Sequence, residues 1–224
     1  MHQPNLLPWL PFFAKLARCH VFVCLDDVQF PKNSWVNRVQ IAGQGPTTWF
    51  TIPVHHHRDS PVGGVRIDYS RPWLRKHLRT LQQRYGRHPY FSRIFPPLEN
   101  RFLDHPERLI DLTLPLLQWV CQLLEVQPRW VLSSEIPVSG TSSARLIDLC
   151  HKVQGSHYLA GFGAALYENE QPYLEASLQY VRQSPGCPTY RQLGQTHPLS
   201  GLSVLDALMN LGPQATRELL EECP

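Results

Sequence analysis

Two polar segments bracket one amphipathic stretch at the start of the chain, and that order restricts the fold more than anything else in the sequence. Met1-His2-Gln3-Pro4-Asn5 opens the chain, and Cys24-Leu25-Asp26-Asp27-Val28-Gln29 follows a short apolar run. Between them, Pro8 to Ala17 carries Leu10, Phe13, Ala14 and Ala17 at helical spacing. The order reads as loop, helix, strand, loop. It sets His2, Gln3 and Asn5 ahead of a helix N-terminus, and Asp26 and Asp27 just past a strand end. Helix N-termini and strand ends are where α/β folds place ligand sites.

The rest of the chain continues the alternation. His20 to Leu25 is a strand rich in Val and Phe. Val36 to Ala42 and Thr47 to Val54 are two strands joined by Gly43-Gln44-Gly45, and Val65 to Tyr69 is another. Pro72 to Tyr85 is a helix with Leu74, Leu78, Leu81 and Tyr85 on one face. Pro89 to Phe102 reads as short helical pieces broken by Pro96-Pro97, and Asp104 to Leu124 as a long apolar helix kinked at Pro115. Trp130 to Ser134 and His157 to Ala160 are strands around a helix at Ser142 to Val153, and Tyr173 to Arg182 contains a further strand. Two closing helices, Ser203 to Asn210 and Pro213 to Glu222, flank Gly212. The pattern predicts an α/β fold of Rossmann-like architecture. A mainly parallel central sheet carries a β-hairpin insertion near 36–69 and a helical segment near 71–125. The chain has 224 residues and no linker or charge block, so a single domain over 1–224 is expected.

Composition narrows the function classes. A net charge of +3 is too small to call for a nucleic-acid partner. Six cysteines form no CxxC pair, which fits neither a zinc site nor a disulfide scaffold and suits a reducing, cytoplasmic compartment. No apolar run approaches the ~20 residues that a membrane span needs, and no signal peptide opens the chain.

The candidate site residues follow from the opening segment. The imidazole of His2 and the amides of Gln3 and Asn5, with the dipole of the following helix, suit a phosphate or carboxylate. The structural alternative is a plain helix cap. Asp26 and Asp27 are the candidate catalytic carboxylates, as general base or cation ligand, against simple turn chemistry. Gln29 completes that segment. Lys32, Asn37 and Arg38 are candidates for neutralising an anionic substrate, and Trp35 for stacking on a sugar or base. Ser133 and Ser134 end a strand, with Arg145 in the next helix, in the manner of a phosphate-binding loop or a helix cap. Gly161 follows a strand and permits close backbone approach. His55-His56-His57 reads as a solvated loop, so no metal is expected. Arg71, Arg75 and Arg79 form a basic helix face, whose default reading is solvation. Asp206 and Asn210 sit one turn apart, and a purely structural role is the leading reading, with bracing of the N-terminal site as the alternative.

The chain resembles the WbqC-like protein family over nearly its whole length. The resemblance rests on Gln3-Pro4-Asn5 with Leu7-Pro8-Trp9, on Val23 through Asp26-Asp27-Val28-Gln29, and on Trp35-Val36-Asn37-Arg38. It continues through Thr51-Ile52-Pro53-Val54, Tyr85 with Pro89-Tyr90-Phe91, Ser133-Ser134, Tyr158-Leu159-Ala160-Gly161, and Leu202 to Gly212. It implies a place in bacterial polysaccharide (O-antigen) biosynthesis and transfer of an aminoacyl group such as glycine to a sugar. It also implies a short apolar strand ahead of Gln3, where this sequence starts at Met1-His2. A misassigned start is the expectation, and without that strand a sheet edge is exposed. The combined expectation is a group-transfer enzyme acting on a small polar or anionic substrate. The alternatives are a non-catalytic binding module and a nucleotide or nucleic-acid binding protein, with tRNA entering only if an aminoacyl-tRNA is the donor. The residues specify no cofactor and no oligomeric state.

Overall fold

A computed structural model describes residues 1–31, 33–161, 163, 168–184 and 186–223. Helix α1 (Leu10–Ala17) leads into strand β1 (Val21–Cys24). A hairpin of β2 (Arg38–Ile41) and β3 (Thr48–Thr51) follows, then the short pair β4 (Val54–His55) and β5 (Arg66–Ile67). Helices α2 (Trp73–Tyr85), α3 (Phe91–Leu103) and α4 (Ile110–Leu123) come next. Then come β6 (Arg129–Leu132), α5 (Ser142–Lys152), β7 (His157–Ala160), α6 (Gln171–Glu175), β8 (Gln179–Arg182) and α7 (Val204–Glu221).

The fold is mixed α/β, and its sheets come in pairs. β1 runs parallel to β6, and β7 parallel to β8, while β2–β3 and β4–β5 are antiparallel. Among the described residues no pair extends into the single central sheet that the alternation predicts. On the edge of β1 opposite β6, the backbone of His2 forms one parallel bridge. Its amide donates to the carbonyl of Val23, and its own carbonyl accepts from the amide of Leu25. The ladder along β1 is therefore only one bridge deep on that side. Phe22, Val23 and Cys24 are all buried, as expected of a strand covered on both faces.

Two helix expectations change. Pro96 and Pro97 lie inside one continuous α3 rather than breaking it. The carbonyls that lose their donors belong to Ser92 and Arg93, which are exposed, so water takes the missing bonds. Ile94, Phe95, Leu98 and Phe102 keep a buried stripe. The segment before α4 is extended instead of helical. Arg108 bridges to Arg66, and the amide of Ile67 donates to the carbonyl of Glu107. The segment Tyr173 to Arg182 does contain the expected strand, β8, which follows the end of α6. The two closing helices form α7, kinked at Gly212 (φ 78°, ψ 173°).

Two apolar clusters form the interior. The larger spans α1, β1–β3, α2–α4 and α7. The smaller gathers Cys150, Tyr158, Ala160, Tyr173 and Leu178 around β7. Among the described residues no helix is long and apolar enough to cross a membrane.

Candidate functional site

Because β1 and β6 are parallel neighbours with Cys24 opposite Leu132, the residues that follow each strand arrive side by side. This brings Asp26 and Asp27 onto Ser133 and Ser134. The Ser134 amide and hydroxyl donate to Asp26 at 3.0 and 2.6 Å. The Ser133 hydroxyl lies 3.1 Å from Asp26 Oδ1 and 2.5 Å from Asp27 Oδ1, and its single proton serves one of them at a time. Asp26 is 7 % exposed and closes the turn after β6. Asp27 is more open, and Arg145 from the first turn of α5 donates to its Oδ2. Burial pushes the Asp27 carboxyl up, but the hydrogen bonds from Arg145 and Ser133 outweigh it. The net result lies below the ordinary carboxylate value. Asp27 is therefore ionised at neutral pH.

A cavity of about 490 Å³ has residues of both apolar clusters in its wall, while Asp26, Asp27 and Arg145 are not among its lining residues. Its wall combines Gln3, Asn5, Trp9 and Trp35 with Lys15, Tyr158, Gly161, Glu168 and Gln183. Leu25 and Leu146 also line it, and these residues lead directly to Asp27 and follow Arg145 in sequence. The cavity thus sits at the C-terminal ends of β1 and β7. A groove of about 680 Å³ between α2 and α3 is larger and is lined by Arg71, Arg75, Arg79 and Glu99.

The amide-rich opening segment behaves unevenly. Asn5 lines the cavity and is 8 % exposed, and its side chain has no hydrogen-bond partner among the described residues. It does not cap α1, whose N-cap position is Trp9. Gln3 donates to the carbonyl of Gln29 at 3.4 Å. The His2 ring packs edge-on against Phe12, and burial with the nearby Lys15 charge lowers its pKa to about 3. It is a neutral imidazole and supplies no cation for an anion. Gly161, at the end of β7, lies beside both His2 and Lys15.

Other candidates lie outside the cavity wall or at its rim. Gln29 donates to the carbonyl of Arg58 and bridges to Pro61, so it holds the loop that follows β4. Asn37 is buried and donates to the carbonyl of Ile52, bracing the hairpin. Arg38 stacks its guanidinium 4.3 Å over the Trp49 ring. Trp35 is 46 % exposed at the cavity rim, 5.5 Å from Trp49. Lys32 lies outside the described residues. His55 pairs with Asp68, and among the described residues no cluster of metal-ligating side chains forms. Asp206 and Asn210 brace the hairpin turn at Gly43 rather than the N-terminal segment.

Sequence reasoning passed over Lys15, Glu168 and Gln183. Lys15 had a signal. It is the one charge in Leu-Pro-Phe-Phe-Ala-Lys-Leu-Ala, a helix in which seven of the eight residues are apolar and nearly every position is buried. Glu168 and Gln183 had none, because they flank short, irregular elements.

A profile of the WbqC-like protein family matches residues 3–218. The chain is also similar to Uncharacterized protein Rv1507c of Mycobacterium tuberculosis (strain ATCC 25618 / H37Rv). The two are 28% identical over 223 residues, which cover 95% of this chain and 93% of that protein. No solved structure matches.

Proposed function

The chain belongs to the WbqC-like protein family, and on that premise we propose that it is a group-transfer enzyme whose small polar substrate binds in the 490 Å³ cavity. The observation that carries the reading is one of placement. Strands β1, β7 and β8 end at the same cavity, with the amide of Asn5 in its wall and the ionised Asp27–Arg145 pair within two residues in sequence of its lining residues Leu25 and Leu146. Convergent polar groups in an otherwise apolar cleft are the usual layout of a small-molecule site. The two parallel pairs, with His2 alongside β1, are the flanks of a Rossmann-like layout in this reading.

The chemistry assigns roles by environment. A carboxylate held below its ordinary pKa is a weak base. Asp27 therefore orients an amine or hydroxyl nucleophile by accepting its hydrogen bond, and Arg145 fixes the carboxylate and faces developing negative charge. Asn5 and Gln3 hold the polar substrate, and Trp35 covers the entrance. Aminoacyl or related transfer within polysaccharide or small-molecule biosynthesis is the class we favour.

Thermal melts against nucleotides, amino acids, coenzyme A thioesters and sugar nucleotides test the reading. A ligand at a hundred times its dissociation constant adds about 2.7 kcal/mol to stability. The expected result is a clear rise with one class, lost in Asn5→Ala, with turnover lost in Asp27→Asn while binding persists. Full turnover in Asp27→Asn removes the assigned role. Binding without turnover in the wild-type protein favours a non-catalytic binding module.

A further inference from the structure

Lys15 is a buried cation with no counter-ion among the described residues. It is 2 % exposed, lines the cavity, and sits in a helix that is otherwise apolar. Burying an ammonium costs several kcal/mol unless an anion and further hydrogen bonds compensate it. Of its three N–H groups, one donates to the carbonyl of Met1 at 2.9 Å. Among the described residues no carboxylate lies within 4 Å of the amine, and no second acceptor takes its remaining protons. The strand end beside it is a glycine. A Cβ on Gly161 would stand 3.4 Å from Nζ, so glycine keeps the approach to the amine open.

We propose that Lys15 anchors a carboxylate of the molecule that occupies this cavity. The inference deepens the group-transfer reading and rests on the cavity being the binding site. Charge decides between carboxylate and phosphate. Among the described residues the wall holds one cation, Lys15, and one acid, Glu168. Its other polar members Gln3, Asn5 and Gln183 are neutral, and burial keeps His2 and the Met1 α-amino group uncharged at neutral pH. No arginine is among the described residues that line it. A dianion would meet a single ammonium and an opposing carboxylate, whereas a monoanion balances Lys15 alone. Phosphate sites favour arginine forks, and no arginine is among the described residues of this wall.

The groups that face Lys15 define its pH behaviour. They are His2 and the α-amino group of the opening segment, Cys19 beyond α1, and Glu168 before α6. Burial lowers the Lys15 amine to about 8, with Cys19 and Glu168 opposing part of the shift. The amine is charged at neutral pH and loses its proton above about 8. The carboxylate therefore binds well at neutral pH and weakens as pH rises through that value. For the ligand-free protein the sign is opposite. Between about 8 and the ordinary value of 10.5 the unfolded chain holds the extra proton, so stability from this group rises with pH.

Titration calorimetry and thermal melts with sodium formate and sodium acetate test the proposal. Sodium chloride at equal ionic strength is the reference, and inorganic phosphate is a second probe. The proteins are wild type, Lys15→Met and, as a control for loss of an exposed lysine outside the cavity, Lys76→Met, at pH about 7 and about 9.5, on either side of the Lys15 value. The expected result is carboxylate binding to wild type and Lys76→Met at the lower pH. It weakens about tenfold or more in Lys15→Met, as loss of a charged hydrogen bond predicts, and it fades at the higher pH. Ligand-free Lys15→Met melts at or above wild type, because a buried charge has gone. Equal binding in Lys15→Met, no effect beyond chloride in wild type, tighter phosphate than carboxylate binding, or a lower melting temperature in ligand-free Lys15→Met each overturns the proposal. None of these outcomes touches the Asn5 and Asp27 tests of the cavity, so the two readings fail separately.

Discussion

Asp206→Ala is expected to cost about 3–6 kcal/mol of stability, the sum of burial penalties for the donors it strands. In a chain of this size that lowers the melting temperature by about 10 °C or more. Asp206 is 1 % exposed near the start of α7. It accepts from the hydroxyls of Tyr85 and Tyr190, each at 3.0 Å, from the amide of Gly43 at 3.3 Å and from Asn210 at 3.2 Å. Every one of these donors is neutral. Burial raises the Asp206 carboxyl, and the bonds from Gly43 and the two tyrosines pull it partly back. Its protonation therefore favours the fold. That contribution is complete below the unfolded value and is lost as pH rises through the raised one. Truncation to alanine leaves two tyrosine hydroxyls and a backbone amide buried without an acceptor. Asp206→Asn retains one oxygen and falls by less, since a tyrosine hydroxyl can turn to accept from the new amide. Urea midpoints of both variants check the order. A loss for alanine no larger than that for asparagine overturns the account.

Gly212→Ala is expected to cost about 2–4 kcal/mol, through backbone strain and overpacking together. Gly212 lies at φ 78°, ψ 173°, a conformation open to glycine, where α7 kinks. A Cβ there would lie 2.4 Å from the Tyr90 ring. The ring would have to swing aside, while its backbone stays tied by the Tyr90 amide, which donates to the carbonyl of Met209 in α7. Gly201 supplies the control. It has φ +71°, and no atom lies within 4 Å of the position its Cβ would take. Gly201→Ala bears the conformational cost without the clash and should lose about 1 kcal/mol. Equal losses at the two positions would sink the steric part of the argument.

The sequence reading located elements well where periodicity was strong. Leu74, Leu78, Leu81 and Tyr85 form the buried face of α2, as their spacing requires. The hairpin at Gly43-Gln44-Gly45 pairs Arg38 with Thr51 through Ile41 with Thr48. Proline misled where exposure mattered, since nothing local to Pro96 and Pro97 shows that water will satisfy the carbonyls one turn back. The pairing of sheets was not legible, because hydrogen-bond partners of β1 and β7 lie far away in sequence. In the candidate site, the meeting of Asp26 and Asp27 with Ser133 and Ser134 follows from parallel register, a long-range property that no local pattern carries. Arg38 was read as a candidate for an anionic substrate or as a solvated surface charge, and its guanidinium stacks on the face of Trp49. Lys15 was legible in principle as a lone charge in an apolar helix, yet the helical pattern drew attention to its hydrophobic neighbours instead.

The two indoles at the cavity rim have an optical consequence. Trp35 and Trp49 have ring centroids 5.5 Å apart and planes inclined at 52°. Chromophores so close and so skewed share their excited states, and the pair should give an exciton couplet in the far-ultraviolet circular dichroism. Trp35 is the member that borders the cavity. A molecule seated there and touching the indole changes the tilt or the local polarizability, and the couplet changes with it. The protein thus carries its own label-free signal for occupancy. Removing Trp49 by substitution with leucine silences the couplet while leaving every residue of the cavity wall in place.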